Sequence, residues 1–288
     1  MTSWRAAALL AGLVLLALAG CRAEQRRFST WASLGEKPAR TAPVAVESLP
    51  PAGAVPWAGT ASHHLLADGL IDRWFAELAR RRSVEVFYVL SPSHYGLSTL
   101  PYSLTDGYWR VPGGKVESDR EKVAALAKAL GVRLEPDVFN GEHGVSTLIP
   151  YIARYFPRAK VVAMAYRGEP PVRQPMGRKL AQALAPAFGP EGRAKNFLLI
   201  STDFAHHGNP ASTAAKDELT RRFFEEPNAR TWNFAGCDNR YGMYALAHLL
   251  DQQTRCSVLF HSNSFQLSGH DPGNITSYFF TLFWDQAS

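Results

Sequence analysis

The chain has 288 residues, 46% of them hydrophobic, with 31 lysines and arginines against 25 acids and a net charge of +6. That apolar content argues against a disordered protein and is enough for a large core. The basic residues are scattered, with Arg80-Arg81-Arg82 as one small cluster and no aromatic-plus-basic module, so no nucleic-acid partner is expected.

Arg5 is the only charged side chain before the apolar run Ala6 to Leu18, which is too short to span a bilayer and reads as a secretory signal over residues 1–20. The run ends in Leu18-Ala19-Gly20-Cys21, which resembles the bacterial lipobox. That resemblance implies lipidation at Cys21 and a periplasm-facing envelope protein that is anchored to the membrane without spanning it. Arg22 in place of Asp after the cysteine points to the outer membrane. Residues 21–56, rich in Pro, Ala and Ser, read as a flexible tether. With no second linker and no internal repeat, residues 57–288 read as one domain.

Within it, Leu65, Leu66, Leu70, Ile71, Trp74, Phe75 and Leu78 recur at helical spacing and predict a helix over 64–82. Val84 to Leu90 reads as a strand, and Asp106-Gly107 as a tight hairpin turn. Ser118 to Leu130 is a helix with Ser118 as N-cap. Val145 to Phe156 is helical but interrupted by Pro150. A strand over 159–165, a helix over 174–188 and the buried strand Phe197-Leu198-Leu199-Ile200 follow, with Gly208-Asn209-Pro210 ending regular structure. Helices over 213–224 and 241–253 and strands over 256–261 and 275–284 close the chain. Cys237 and Cys256 flank a helix and are not read as a bridge. The alternation predicts an α/β fold: one mixed, mostly parallel sheet with helices on both faces.

Polar, ligand-type side chains collect at the element boundaries: His63-His64, Ser93-His94, Glu142-His143, Asp203 with His206 and His207, and Cys237-Asp238. A lone histidine at such a place is ordinary. Five groups at strand and helix ends can converge on one face of an α/β sheet, where ligands bind. Imidazole, carboxylate and thiolate together suit a transition metal.

Val89-Leu90-Ser91-Pro92-Ser93-His94, Glu142-His143-Gly144-Val145-Ser146 through Tyr151, Ser201-Thr202-Asp203-Phe204-Ala205-His206-His207-Gly208 and Ile275-Thr276-Ser277-Tyr278 stand in the order of four family motifs. They resemble the Memo-like family, also called AmmeMemoRadiSam system protein B, which is similar in fold to class III extradiol dioxygenases of the LigB type. The resemblance implies metal ligands at His63, with His64 as the close alternative, and at His94. The third falls on Asp238 or Cys237, the register being ambiguous by one residue; aligning on Arg240 favours Asp238, which gives a 2-His-1-carboxylate set and Fe(II), with Cu or Zn as alternatives. It also implies acid–base or supporting roles for His143, Asp203 and His206. Ser146 stands where the family often has Glu. The family name implies association with radical-SAM and AMMECR1-type proteins.

The function expected from this is a metal-dependent redox enzyme, dioxygenase-like, on a small molecule. A non-catalytic metal-binding or small-ligand-binding lipoprotein is the alternative. A hydrolase using Ser93 or Ser201 with His206 and Asp203 ranks last, because no Gly-x-Ser-x-Gly elbow is present.

Overall fold

The computed structural model describes residues 25–30, 43–167 and 172–286. The signal-like run and Cys21 lie outside the described residues. A three-stranded sheet is built from β1 (Arg27–Phe28), β5 (Tyr108–Val111) and β6 (Gly114–Glu117). An eight-stranded sheet contains β2 (Pro56–Ala61), β3 (Val86–Pro92), β4 (Tyr102–Leu104), β7 (Lys160–Tyr166), β8 (Asn196–Ser201), β9 (Phe204–Gly208), β10 (Thr254–Asn263) and β11 (Ile275–Asp285). Its order is β10-β11-β2-β8-β3-β7-β4, with β9 on β11. The central run β2-β8-β3-β7 is parallel and both flanks are antiparallel. The mixed α/β sheet expected from the sequence is therefore the architecture of the domain.

The central strands are apolar on both sides because both sides are covered. Phe87, Val89, Val161, Ala163, Phe197 and Leu199 face one layer, and Tyr88, Leu90, Val162, Met164, Leu198 and Ile200 the other. Into the first layer pack α1 (Asp68–Arg81) through Trp74 and Phe75, and α4 (Ile149–Tyr155) through Ile149 and Ile152. Into the second pack α2 (Arg120–Leu130), α5 (Gln174–Leu184), α7 (Pro210–Glu225) and α8 (Arg240–Leu249). Shorter helices α3 (His143–Ser146), α6 (Pro190–Lys195) and α9 (Ser264–Ser268) complete the chain. Gly59 allows α1 to close on the sheet: a Cβ there would stand 2.4 Å from the Thr281 carbonyl and 2.8 Å from the Trp74 ring.

Several expectations are corrected. Asp106-Gly107 is no hairpin turn; β4 pairs with β7 and β5 with β6, so this dipeptide carries the chain from one sheet to the other. The hairpin turns at Pro112-Gly113, where Gly113 takes φ 78°. Asp119, one residue past Ser118, caps α2 by accepting from Lys122 N, because Ser118 is held in a bridge to Val161. Pro150 opens α4, where its missing N–H costs nothing. Asn209-Pro210 starts α7 through a capping box with Ser212. Residues 25–30 and 43–56, expected within the flexible tether, lie against the domain. Phe28 is buried against Trp109 at 5.0 Å between ring centroids, and Glu47 N and Ser48 N donate to Leu259 O and Val258 O. Cys237 and Cys256 are both free thiols.

Candidate metal centre

The parallel strands β2, β8 and β3 are neighbours, so their carboxyl ends lie side by side, the place where open α/β sheets bind ligands. His63 leaves β2, His94 leaves β3, and Ser201-Thr202-Asp203 leave β8. Glu142 and His143 come from the start of α3, and Asp238 from the turn before α8. Asn239 ties these ends together. Its side-chain amide donates to Leu90 O and Ser201 O, both at 2.8 Å, and its Oδ1 accepts from Gly242 N at 2.9 Å and from the Tyr166 hydroxyl.

His63 is buried, with Nε2 3.3 Å from Asp238 Oδ2 and 3.5 Å from Asp203 Oδ2. His94 Nε2 lies 3.7 Å from the same Asp238 oxygen. The opposite ring nitrogens are spoken for. His94 Nδ1 is 2.6 Å from Glu142 Oε1, and Glu142 also accepts from His94 N and Gly144 N at 2.9 and 3.0 Å. A buried carboxylate holding that set is an acceptor, so His94 Nδ1 carries the proton. His63 Nδ1 is 3.0 Å from Ser201 Oγ, whose own proton goes to the Gly144 carbonyl. Ser201 must then accept, so His63 Nδ1 is also a donor. In their neutral forms both imidazoles therefore turn bare Nε2 lone pairs toward carboxylate oxygen. The other Asp238 oxygen accepts from Thr202 Oγ1 at 2.7 Å and Asp203 N at 3.0 Å, while Asp203 Oδ1 is buried with no hydrogen-bond partner.

A convergence of acceptors requires a cation. Without a metal, protons fill that role. Burial pulls the His94 pKa down, but hydrogen bonds to Asp238 and Glu142 outweigh it and raise the value to about 9. Burial likewise works against His63, and the Asp203 and Asp238 charges raise it overall. Burial would raise the Asp238 carboxyl, but the neighbouring imidazoles hold it well below its ordinary range. His63, His94 and His143, and separately His63, Asp203 and Asp238, form groups whose ligand atoms lie within 4.8 Å of one another and could hold a metal ion.

His143 packs beside His94 at 3.9 Å between ring centroids with the rings tilted by 38°, and Tyr95 Oη lies 3.1 Å from its Nδ1. Burial and the two neighbouring imidazoles push its pKa down to about 2. His206 is partly buried; burial lowers its pKa against the pull of Asp238 and Asp203. It sits between two non-glycine residues of positive φ, Ala205 at 33° and His207 at 55°, an unfavourable backbone held in place by the surrounding fold. His64 and His207 turn elsewhere, to Tyr278 Oη at 2.8 Å and Asn274 Oδ1 at 2.7 Å. Of the adjacent pair left open by the sequence, Asp238 faces the imidazoles. Cys237 packs in the apolar layer, where burial pushes its thiol up to about 12.

The family model described as Memo-like protein matches residues 67–269, which span His94, Glu142, His143, Asp203, His206 and Asp238. The chain belongs to the Memo-like family. Among its curated relatives, a MEMO1 family protein of Pyrobaculum aerophilum is 31% identical over 177 residues, covering 59% of this chain and 60% of the relative. One of Caldivirga maquilingensis is 27% identical over half of each chain, and one of Thermococcus onnurineus 27% identical over 64% and 61%. The matches span about half to three-fifths of these relatives' length.

In this Memo-like protein the sequence singled out Glu142 and Ser201 without their supporting roles, and gave no sign of Thr202 and Asn239 as supports of the site. Glu142 carried a signal, a carboxylate next to a motif histidine, but its partner is His94, 48 positions away. Ser146, where the family often has Glu, leaves a buried hydroxyl without a hydrogen-bond partner.

Proposed function

We propose that this Memo-like protein is a lipid-anchored envelope enzyme that carries out metal-dependent redox chemistry on a small molecule, with the ion held by His63, His94 and Asp238. One observation carries the reading: two Nε2 lone pairs, each set by a hydrogen bond on the far side of its ring, converge on one carboxylate oxygen. Backing imidazoles with a carboxylate or hydroxyl is how proteins orient metal-ligating histidines. Three donors about 2.0–2.2 Å from a shared ion stand roughly 3–3.5 Å apart; Asp238 Oδ2 lies 3.3 Å from His63 Nε2, within that range, and 3.7 Å from His94 Nε2, slightly beyond it. A mid-row ion, Fe(II) first on this donor set with Cu or Zn as alternatives, would supply redox or Lewis-acid chemistry at an open position.

The chain's own groups do the rest. His143, uncharged across the physiological range, presents a neutral ring against His94. His206, kept mainly neutral by burial against the charges of Asp238 and Asp203, is the imidazole suited to accept a proton. Asp203, with one oxygen unengaged, orients polar substrate atoms or adds a fourth donor. A serine hydrolase gains no support, since the Ser201 hydroxyl is committed between Gly144 O and His63, and the Ser93 hydroxyl is buried with no hydrogen-bond partner among the described residues, hence with no base on it.

The test is elemental analysis of protein purified without oxygen, followed by oxygen uptake with a panel of catechol-type aromatics. The expected result is a stoichiometric transition metal, lost in His63→Ala, His94→Ala and Asp238→Ala and kept in Cys237→Ser. Equal metal content in all five proteins overturns the site. Metal retention without any oxygen uptake supports the non-catalytic metal-binding reading.

A further inference from the structure

We propose that the outward face of the β1–β5–β6 sheet rests on the anionic headgroups of the membrane that holds Cys21. The inference rests on the lipid-anchor reading and adds to it the face, the distance and the lipid charge.

Chain length fixes which part of the molecule lies nearest the anchor. Residues 25–30 are docked. Gln25 Nε2 donates to Asp106 O at 2.7 Å, Tyr108 N donates to Arg26 O at 2.9 Å, and Phe28 is sealed against Trp109 and Phe139. Gly107 makes the room, since a Cβ there would meet the Arg26 carbonyl and the Phe28 ring at 2.4 Å each. Between Cys21 and Gln25 stand only residues 22–24. At full extension such a stretch reaches about 14 Å. A lipid on Cys21 therefore holds this sheet near the headgroups.

The face is suited to that place. Phe28, Trp109 and Val116 point inward, so the alternate positions Arg27, Tyr108, Arg110, Lys115 and Glu117 point outward. Three cations stand there against one acid. Arg110 and Lys115 are directly opposite each other across the hairpin. Lys115 Nζ pairs with Glu117 Oε1 at 2.6 Å on the same face, which leaves Arg27 and Arg110, among the described residues, as its uncompensated cations, and Arg110 still stands opposite a like charge, a register that does not favour the hairpin. A plane of phosphates turns Arg27 and Arg110 into attractive contacts, since each basic residue near an anionic surface adds affinity. Tyr108, half-buried among the cations with Lys115 Nζ 5.4 Å from its ring centroid, is the amphipathic aromatic that membrane interfaces favour.

The experiment uses full-length acylated protein in phosphatidylcholine vesicles with and without phosphatidylglycerol. The rate of amine acylation is read by mass spectrometry at Lys115 and at the exposed Lys179. Phosphatidylglycerol is expected to slow Lys115 by about fivefold and to leave Lys179 unchanged, and Arg110→Gln is expected to reduce the effect. Equal Lys115 rates in both vesicles overturn the proposal. So does reversal by millimolar inorganic phosphate, which would make the face a simple anion site. The same spectra report acylation of Cys21, so failure of the anchor is seen separately. In that case the unacylated chain must still sediment with phosphatidylglycerol vesicles and not with phosphatidylcholine, or the face is not membrane-directed.

Discussion

Glu142 accepts three N–H groups at once, two from His94 and one from Gly144, and so fixes both the tautomer and the tilt of one imidazole. Glu142→Gln places a donor where the His94 proton points. Outer-sphere partners of this kind are worth about 10–100-fold in metal affinity, and that loss is expected in a chelator competition titration while the fold survives. Cys237 gives the opposite test. With its thiol pushed up to about 12 inside an apolar layer, it should resist alkylation by iodoacetamide at pH 8 in the folded protein and react only after denaturation. Labelling of native protein at Cys237 would show that the segment opens. At this scale the sequence was legible where chemistry and element boundary coincide, as at His63 and His94. Asp238 and Cys237 could not be separated, because adjacent side chains differ in direction and direction is set by the bridge that pairs Cys237 with Phe204.

The segment before β2 is a strap. Glu47 takes a two-pronged bond from Arg221 at 2.8 and 2.9 Å while its own amide and that of Ser48 bond to β10. The Arg221 hydrogen bonds hold the Glu47 carboxyl below its ordinary 4.5, against the opposing effect of burial. A depressed folded-state pKa gives stability that is full above 4.5 and is lost as pH falls through the lower folded value. Protection of the Glu47 and Ser48 amides from hydrogen exchange should therefore drop on acidification below pH 4.5, and Arg221→Ala should remove that dependence. At the other docked segment, Phe28→Ala should expose Arg26 and Arg27 to trypsin well before the domain unfolds, seen as a single early cut on a gel. Neither docking was legible from sequence. Proline and alanine content describes what a segment cannot do alone, whereas the partners of Phe28 and Glu47 lie 81 and 174 positions away. Strands with continuous apolar runs were legible, but β9, bent by Ala205 and His207 into positive φ, shows no period of two.

Across the whole molecule, Asn239 joins the ends of β3, β8 and α8 through one buried amide. Asn239→Ala strands two carbonyls, one N–H and the Tyr166 hydroxyl, each unsatisfied group costing about 1–3 kcal/mol, so a loss of at least about 2 kcal/mol is expected in urea unfolding. The sheet also closes in a particular way. β2, the first strand of the large sheet, lies between β8 and β11, the last strand of the chain. Until Ile275 to Asp285 have been made, the edge of β2 that carries His63 into the site has no neighbour on that side. Non-local pairing of this kind is late and slow in folding, so a nascent chain cannot assemble its ligand set as it emerges. Any ion it takes is bound only after the last strand has been made, and the metal is chosen by the supply that the finished chain meets as much as by the donors themselves.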